Sequence, residues 1–433
     1  MSEEPTEAVI SRGQSLFITA SSIVSAGTTF LVTWLAARSL TVEDNKDFLV
    51  FWSLTSLVFA TLLGVQQESA RLIGSARLGQ QKKSSHAPEE RTYNPLVVAA
   101  WVGITCAVIF ATLTPIWLGT VLPAGDWRTV LLITLVTAVY ACHVYCIGAM
   151  AGTRAWTEYA LLISTGGIFC FLCTLLASIV GAGLLAFQLS FLATAFLWLV
   201  FVVFSPRVRG ATRLSLVGRP SAAYRSMMLA VGTAVAIAAM STGFPIFLEA
   251  TSSTTAPESA ALLAAIILGI SITRAPIMLP LQAFQGVAVS YFLAHSQRPT
   301  AALLKPVGAL LALGLAGAGA AYLLGPWIFD AIYEKYAGQL DGTFLAALTF
   351  AAALLAVTTL SGTAALAMGA HRVYLAGWVL TVLVAFGCLL LPLGLEAKTI
   401  VALVVSPVIG VAVHLIGMER LNQSEAPKPT TQG

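Results

Sequence analysis

The stretch from Ala260 to Gln282 reads AALLAAIILGISITRAPIMLPLQ, and it decides the fold class. Arg274 is the only Asp, Glu, Lys or Arg between Glu258 and Arg298. At 1.5 Å per helical residue, an apolar run of this length crosses the ~30 Å hydrocarbon core of a bilayer. The sequence therefore predicts a transmembrane helix that carries one cation.

Similar apolar runs recur from Gly13 to Gly417. The chain is 58% hydrophobic and 10% charged, whereas a soluble domain has about 25% charged residues. This composition predicts an all-α polytopic membrane protein with twelve transmembrane helices. The predicted spans are 13–37, 48–67, 96–122, 129–152, 159–180, 184–204, 226–248, 259–283, 306–329, 343–369, 373–392 and 399–417.

The distribution of Lys and Arg predicts the orientation. With a cytoplasmic N-terminus, 17 of the 23 basic residues fall in cytoplasmic segments and five fall on the opposite side, Arg274 being the remaining one. Cytoplasmic segments of membrane proteins are enriched in Lys and Arg. We therefore expect both termini to be cytoplasmic and the protein to be a multi-pass protein of a bacterial plasma membrane.

An internal repeat is indicated at an offset of 218 residues. The segment MAGTRAWTEYALLISTGGIFCFLC from Met150 aligns with MGAHRVYLAGWVLTVLVAFGCLLL from Met368. The repeat predicts two six-helix bundles, 1–225 and 226–417, followed by a cytoplasmic tail, 418–433. A basic joint at 205–225 ends the first bundle. Two such bundles with a cavity between them suit alternating access.

Several segments resemble the polysaccharide flippases of the multidrug/oligosaccharidyl-lipid/polysaccharide superfamily. The first hairpin is similar to their opening pattern through Ala37-Arg38-Ser39-Leu40 and through Gly64 to Arg71. Further similar segments are the Gly-containing turns with Arg at 152–154 and 369–372, TRAPIMLPLQ at 273–282 and LLGPWIFDAIYEKYAG at 323–338.

This resemblance implies transport of a lipid-linked oligosaccharide. The substrate would be an isoprenoid-diphosphate-linked repeat unit, moved from the cytoplasmic to the outer leaflet for cell-envelope glycan synthesis. A diphosphate with attached sugars cannot cross hydrocarbon unassisted, because removing water from its charges is costly. The expected partners are this glycan, membrane lipids and a glycan polymerase or glycosyltransferases of the same pathway. We expect no cofactor, no metal and no nucleic acid.

Arg274 is the leading candidate for contacting the diphosphate. It lies about 15 residues, or ~23 Å, from the outer end of its span. Pro276 and Pro280 follow it, and we expect them to disturb the helix, because proline removes a backbone donor. Backbone freed at membrane depth is tolerated where it lines a cavity or is buried in protein. The alternative is a side chain that extends to the inner headgroups or forms a structural pair.

Other candidates are polar residues near the predicted ends of the spans. Gln282 and Gln285 are candidate sugar contacts. Glu68 and Arg71 are a candidate cytoplasmic gate or, being three residues apart, a helix-surface ion pair. Arg38 is a candidate substrate contact or a headgroup anchor.

His143, in the middle of a span, is a candidate for coupling transport to protonation. The alternative for this residue is a neutral histidine that serves only in packing.

Two alternatives to the flippase hypothesis stay open. A twelve-helix multidrug/cation antiporter shares the architecture, although its cavity should favour carboxylates over arginine. A membrane glycosyltransferase with a lipid-phosphate donor would use a carboxylate of the acidic turn that contains Glu43, Asp44 and Asp47. The alternative for these residues is a solvated acidic turn without a catalytic role, and the short external loops argue against an enzyme.

Overall fold

The computed structural model describes residues 12–82, 92–119, 121, 127–252, 257–294 and 299–425. These residues form mainly α-helices, with one short two-stranded sheet. The helices are α1 Arg12–Ser39, α2 Val42–Lys82, α3 Pro95–Trp117, α4 Trp127–Gly152, α5 Trp156–Ile179, α6 Leu184–Leu192, α7 Leu197–Phe204, α8 Pro206–Thr212, α9 Pro220–Ser241, α10 Phe244–Ala250, α11 Pro257–Ala294, α12 Pro299–Ile332, α13 Gly342–Ala367, α14 His371–Leu389 and α15 Leu395–Glu425.

Eleven helices within the described ranges are long and apolar enough to cross a membrane. They correspond to the second to twelfth predicted spans, with α6 and α7 together forming the sixth. The helix α1 corresponds to the first predicted span, and its 28 residues measure about 42 Å. Hydropathy located these helices because a helix satisfies its own backbone hydrogen bonds and therefore needs only apolar length to span lipid.

The chain divides into two compact units. Unit 1 contains residues up to Val32, Phe59–Pro115 and Trp127–Ala234; unit 2 contains Thr33–Val58, Ile116–Asp126 and the residues from Val235 onward. The predicted division into 1–225 and 226–417 stays a prediction. The predicted tail from 418 begins inside α15, which continues to Glu425, and residues 426–433 lie outside the described part.

Unit 1 is packed around the middle of α4. Val144, Tyr145 and Cys146 are fully buried there, in a cluster that also holds Leu62 of α2 and Val102 of α3. Small residues allow the helices to approach closely, as is common in membranes. The backbone of α9 at Ala230 and Val231 lies directly against Gly64, so that no space is left for a Cβ atom.

The predicted basic joint of unit 1 contains regular structure. It holds α8 and the strand Leu216–Val217, which pairs antiparallel with Thr92–Tyr93. Arg207 forms an ion pair with Glu158 at 2.8 Å, and Arg209 donates to the backbone carbonyls of Val202 and Val203. These two arginines therefore hold α8 against α5 and α7.

Unit 2 is packed around α13. Residues of this helix such as Leu360, Ala364 and Ala365 are buried in a cluster with Met418 of α15. Large apolar side chains such as Trp327 of α12 are exposed, as expected for a surface that faces lipid.

The turns after α4 and α13 have the same hydrogen bonds. Ala155 N donates to Met150 O, and Ala370 N donates to Ala365 O. Arg154 and Gly369 take equivalent left-handed conformations, with φ of 59° and 71°. The same turn also follows α5, where Ala182 N donates to Ala177 O and Gly181 has a φ of 65°. This turn therefore does not fix the repeat register, and the predicted offset of 218 residues stays a prediction.

Candidate functional site

The seventh predicted span, 226–248, is broken in the structure. The helix α9 ends at Ser241, and the backbone N–H groups of Thr242 and Gly243 both donate to Ala238 O at 2.9 Å. The helix α10 then begins at Phe244 with a proline in its first turn. The prediction of one continuous helix here was wrong, because Gly243 and the following proline favour an end and a new start. The last carbonyls of α9 have no donors from a following turn of helix.

Arg274 binds this exposed end of α9. Its Nη1 donates to Ser241 O at 3.0 Å and lies 3.5 Å from Met240 O. Its guanidinium carbon is 6.0 Å from the centre of the Phe244 ring. A helix C-terminus carries partial negative charge, which favours a cation. Among the described residues no carboxylate pairs with Arg274, so that its full positive charge is not neutralised.

A small pocket lies beside Arg274 within unit 2. It contains about 210 Å³ of empty space and is bounded by α9, α11, α13 and α15. Thr273 and Arg274 are the polar residues among those that line it, and Thr273 already donates to Gly269 O at 2.7 Å. Of the side chains that line the pocket, the Arg274 guanidinium is therefore the one with hydrogen-bond donors left for a ligand. This space consists of narrow gaps between side chains and does not form a ligand-sized cavity in this conformation.

The helix α11 continues through both prolines that follow Arg274. The expectation that Pro276 and Pro280 disturb the helix was wrong, because α11 extends from Pro257 to Ala294 without a break. Each proline removes one backbone donor, but neighbouring turns hold the helix together. Gln282 and Gln285 lie further along α11, and their side chains lie outside the described part.

The predicted polar cluster at the end of the second span is an ion pair. Arg71 Nε and Nη2 donate to the two oxygens of Glu68 at 2.8 and 2.5 Å. Ser226 of α9 also hydrogen-bonds to this carboxylate. Burial and the negative charge of Glu68 raise the pKa of the nearby Tyr93 phenol above its usual value. This geometry fits the ion-pair interpretation, and a gating role stays a prediction.

Arg38 lies at the end of α1 in unit 2, with its guanidinium 5.8 Å from the centre of the Trp34 ring. Lys335 donates to Leu40 O just beyond it. Burial and the charge of Arg38 lower the pKa of Lys335. Two cations are therefore held near one helix end, and neither belongs to an ion pair among the described residues. A substrate contact by Arg38 stays a prediction.

His143 lies in the buried centre of unit 1. Its ring stacks on Tyr140 with centroids 5.4 Å apart, and Tyr140 in turn stacks on Phe59 at 3.7 Å. The buried Nδ1 atom has no hydrogen-bond partner. A second proton on this ring would therefore have no acceptor at Nδ1. These contacts favour packing, and the coupling role of His143 remains a prediction.

The acidic turn proposed for the enzyme alternative belongs to a helix. Val42 is the first residue of α2, so that Glu43 and Asp44 lie in its first turn. The backbone N–H of Asp44 donates to Thr41 Oγ1 at 3.1 Å, and that hydroxyl donates to the Asp44 carboxylate at 2.9 Å. Acidic residues stabilise a helix N-terminus. Glu43 is exposed to solvent and the Asp44 carboxylate is bonded to Thr41, which fits the interpretation of a solvated acidic turn.

Two polar arrangements in unit 2 were not predicted. Glu249 of α10 is buried and pairs with Lys46 of α2 at 3.4 Å. His414 of α15 is fully buried, with Ser361 Oγ 2.9 Å from its Nδ1. A carboxylate and a histidine within apolar sequence could have been singled out from the sequence. Their partners could not, because they lie 203 and 53 residues away along the chain.

Comparison with known proteins places the chain in a family. It is 32% identical over 415 residues to the uncharacterized protein Rv3630 of Mycobacterium tuberculosis (strain H37Rv), covering 96% of this chain and 94% of that protein. It is also 32% identical over 412 residues to the uncharacterized protein Rv1510 of the same organism, covering 95% and 93%. The chain belongs to the family of these two proteins. No protein-family model matches it.

Solved structures establish the fold of this family member. An inward-facing MATE multidrug resistance transporter of the MOP superfamily matches with a TM-score of 0.67 at 14% identity, over 94% of this chain and all of that one. The lipid II flippase MurJ, in an inward closed conformation, matches with a TM-score of 0.64 at 13% identity, over 94% and 88%. The predicted all-α fold of the superfamily is confirmed. The chain is a multi-pass membrane protein with this fold.

A third structure with this fold has a different described pocket. It is a MOP superfamily transporter from Pyrococcus furiosus, described as having a binding pocket of reverse polarity that suggests a different function. It matches with a TM-score of 0.62 at 13% identity, over 94% of this chain and 96% of that one. Pocket charge therefore differs among proteins that share this fold.

Proposed function

We propose that the protein is a transporter that flips an isoprenoid-diphosphate-linked glycan from the cytoplasmic to the outer leaflet by alternating access. The single observation that carries this proposal is the unneutralised guanidinium of Arg274 inside a membrane-spanning helix. A cation at membrane depth is costly and usually serves an ion or substrate pathway. A guanidinium also matches the geometry of phosphate oxygens.

The balance of buried charge favours an anionic substrate over a cationic one. Both buried carboxylates among the described residues, Glu68 and Glu249, have a cation partner. Arg274 has backbone carbonyls and an aromatic ring around it instead. Carbonyl dipoles hold the guanidinium in place without cancelling its charge. A phosphate group that enters the pocket would supply the missing negative charge.

The second candidate function is a multidrug/cation antiporter, which the same fold supports equally. The observation in its favour is Glu249, a buried carboxylate of the kind that binds organic cations. Its ion pair with Lys46 argues against that use, because an entering cation would have to displace a lysine 3.4 Å away.

Reconstituted vesicles test the flippase proposal. The protein is incorporated with a fluorescent isoprenoid-diphosphate-linked disaccharide, and the label that becomes accessible on the opposite leaflet is measured. We expect translocation by the natural protein, a loss of at least tenfold in Arg274→Ala and partial activity in Arg274→Lys, since lysine keeps the charge but not the planar geometry. The matched control is Arg128→Ala, which removes an exposed arginine at the start of α4.

Each arm of this assay has a defined consequence. Efflux of organic cations together with no movement of the lipid-linked glycan would refute the flippase function and support the antiporter. Equal translocation by the natural protein and Arg274→Ala would leave the flippase function standing and refute the site. Equal losses in Arg274→Ala and Arg128→Ala would show a general effect of surface charge.

A further inference from the structure

His414 lies in a chain of hydrogen bonds in unit 2 that the proposed substrate site does not use. Its Nε2 lies 3.2 Å from Tyr374 O, a backbone carbonyl of α14. Its Nδ1 lies 2.9 Å from Ser361 Oγ of α13, and that hydroxyl lies 3.0 Å from Thr358 O. The ring therefore connects the three helices α13, α14 and α15 in the buried centre of the unit.

These partners determine which ring nitrogen of the neutral His414 carries the hydrogen. A carbonyl oxygen only accepts, so Nε2 must carry a hydrogen in order to bond Tyr374 O. In the neutral ring Nδ1 is then an acceptor, and the Ser361 hydroxyl must donate to it. Full burial favours this neutral form in the conformation described here, because burial disfavours charge.

The same partners also accommodate a second proton. If Nδ1 gains a hydrogen, it donates to Ser361 Oγ, and the hydroxyl hydrogen rotates to donate to Thr358 O at 3.0 Å. Both ring nitrogens and the hydroxyl remain bonded after this single rotation. A histidine that serves only in packing needs no such second acceptor. Serine is the residue type that can both donate and accept at this position.

We propose that His414, Ser361 and the carbonyls of Tyr374 and Thr358 form a proton-binding site that drives transport. A proton delivered by water forms a bond to the Nδ1 lone pair, and the ring becomes an imidazolium. Its release returns the proton to water and restores the neutral ring. The inference rests on the proposed transport function, to which it adds the coupling ion, and it replaces His143 with His414 as the coupling residue.

The surroundings of the ring make it sensitive to one proton. On α14, Tyr374 stacks on the ring with centroids 6.3 Å apart, and it is the titratable group in contact there. On α13 the facing groups, Ser361 and Thr358, do not titrate. No carboxylate or second cation within the described ranges bonds to the ring. The positive charge of an imidazolium at His414 would therefore be stabilised by the carbonyls of Tyr374 and Thr358 and by the ring of Tyr374.

Tight packing would transmit the protonation to the helices. Gly377 of α14 leaves no space for a Cβ beside the His414 ring, and Gly410 of α15 leaves none beside Thr381. The helices α14 and α15 are therefore in close contact on both sides of the ring. A change in the charge of the His414 ring alters the hydrogen bonds that link α15 to α13 and to α14.

Histidine NMR tests the site without any substrate. The full-length protein, with ¹⁵N-labelled histidine, is titrated in lipid nanodiscs, and His414→Gln assigns the signal. We expect a neutral ring with hydrogen on Nε2 at high pH that becomes doubly protonated as the pH is lowered. Ser361→Ala should shift this transition to lower pH, because the charged ring loses an acceptor. The ring of His143, with no partner at Nδ1, is the matched comparison and should stay neutral.

Transport supplies an independent second arm. In vesicles with an imposed pH gradient, the natural protein should move the lipid-linked disaccharide faster, and His414→Gln should remove that dependence on the gradient. A ring that stays neutral while the protein remains folded, or that carries its single hydrogen on Nδ1, would overturn the proton site even if transport is observed. A titrating ring without glycan movement would uphold the site and refute the flippase function.

Discussion

Removal of the positive charge of Lys46 should destabilise unit 2. Its Nζ lies 3.4 Å from Glu249 Oε1, and the two side chains are 16% and 7% exposed. At this distance, and with an effective dielectric constant of about 20, the attraction between unit charges is about 5 kcal/mol. Breaking a buried pair by removing one partner typically costs about 3–5 kcal/mol. We therefore expect Lys46→Met to lower the free energy of unfolding by about 3 kcal/mol or more.

A double-mutant cycle separates the ion pair from other effects of the substitution. Glu249→Gln in the Lys46→Met background should recover part of the loss, because Glu249 then no longer carries a buried charge without its cation. Asp47, 3.0 Å from the lysine and 26% exposed, still loses its partner in the double variant. The measurement is equilibrium unfolding by SDS in mixed micelles, followed by circular dichroism. Lys305→Met, which removes an exposed lysine of α12, is the control and should change stability by no more than about 0.5 kcal/mol.

One result would refute the reasoning. If Lys46→Met is as stable as the control and the second substitution recovers nothing, the two charges are not coupled. Glu249 would then be a carboxylate available to a cationic substrate. The antiporter would gain support from that outcome, since the preference for an anionic substrate depends on the neutralisation of Glu249.

Three further predictions test the turn geometry, the half-buried phenol of Tyr93 and the enzyme alternative. Arg154→Gly should raise the free energy of unfolding by about 1 kcal/mol, because glycine takes the left-handed conformation without strain, and Gly369→Arg should lower it; equal effects of both on SDS unfolding would contradict this reasoning. Because the pKa of Tyr93 is raised, the folded state keeps its phenol proton at pH values where the unfolded state, with the usual pKa of about 10, has lost it. The free energy of unfolding should therefore fall as the pH rises past about 10. Tyr93→Phe should reduce that slope when unfolding is measured as a function of pH. Glu43→Gln and Asp44→Asn should retain glycan translocation in vesicles, whereas a folded but inactive protein in both cases would revive the glycosyltransferase hypothesis.

Arg274 shows how far a candidate site could be predicted from sequence. A lone arginine in an apolar run was sufficient to single out the residue, because charge in a membrane span is rare and costly. Its partners could not be predicted, since they are backbone carbonyls of a helix that hydropathy treated as continuous. The prolines after it misled the prediction for a related reason. Composition indicates that a backbone donor is missing, but not whether the surrounding helix tolerates the loss.

The pairing of polar residues was predictable only when they were close in sequence. Glu68 and Arg71 lie three residues apart on one helix, and helical geometry alone brings them together. His143 and His414 look alike as histidines in apolar spans. They differ because one packs among aromatic rings and the other faces a hydroxyl and a carbonyl.

The sequence by itself determined the solvent, the helices and their approximate ends. The span predicted at 129–152 is the helix Trp127–Gly152, because apolar length and internal backbone bonding are local properties. The tertiary structure alone decided which charges are neutralised. Lys46 meets Glu249 across 203 residues, and Arg274 meets the end of α9 across 33. Such pairings depend on how helices pack, and apolar surfaces that all face lipid or each other carry little information about which neighbour each helix will find.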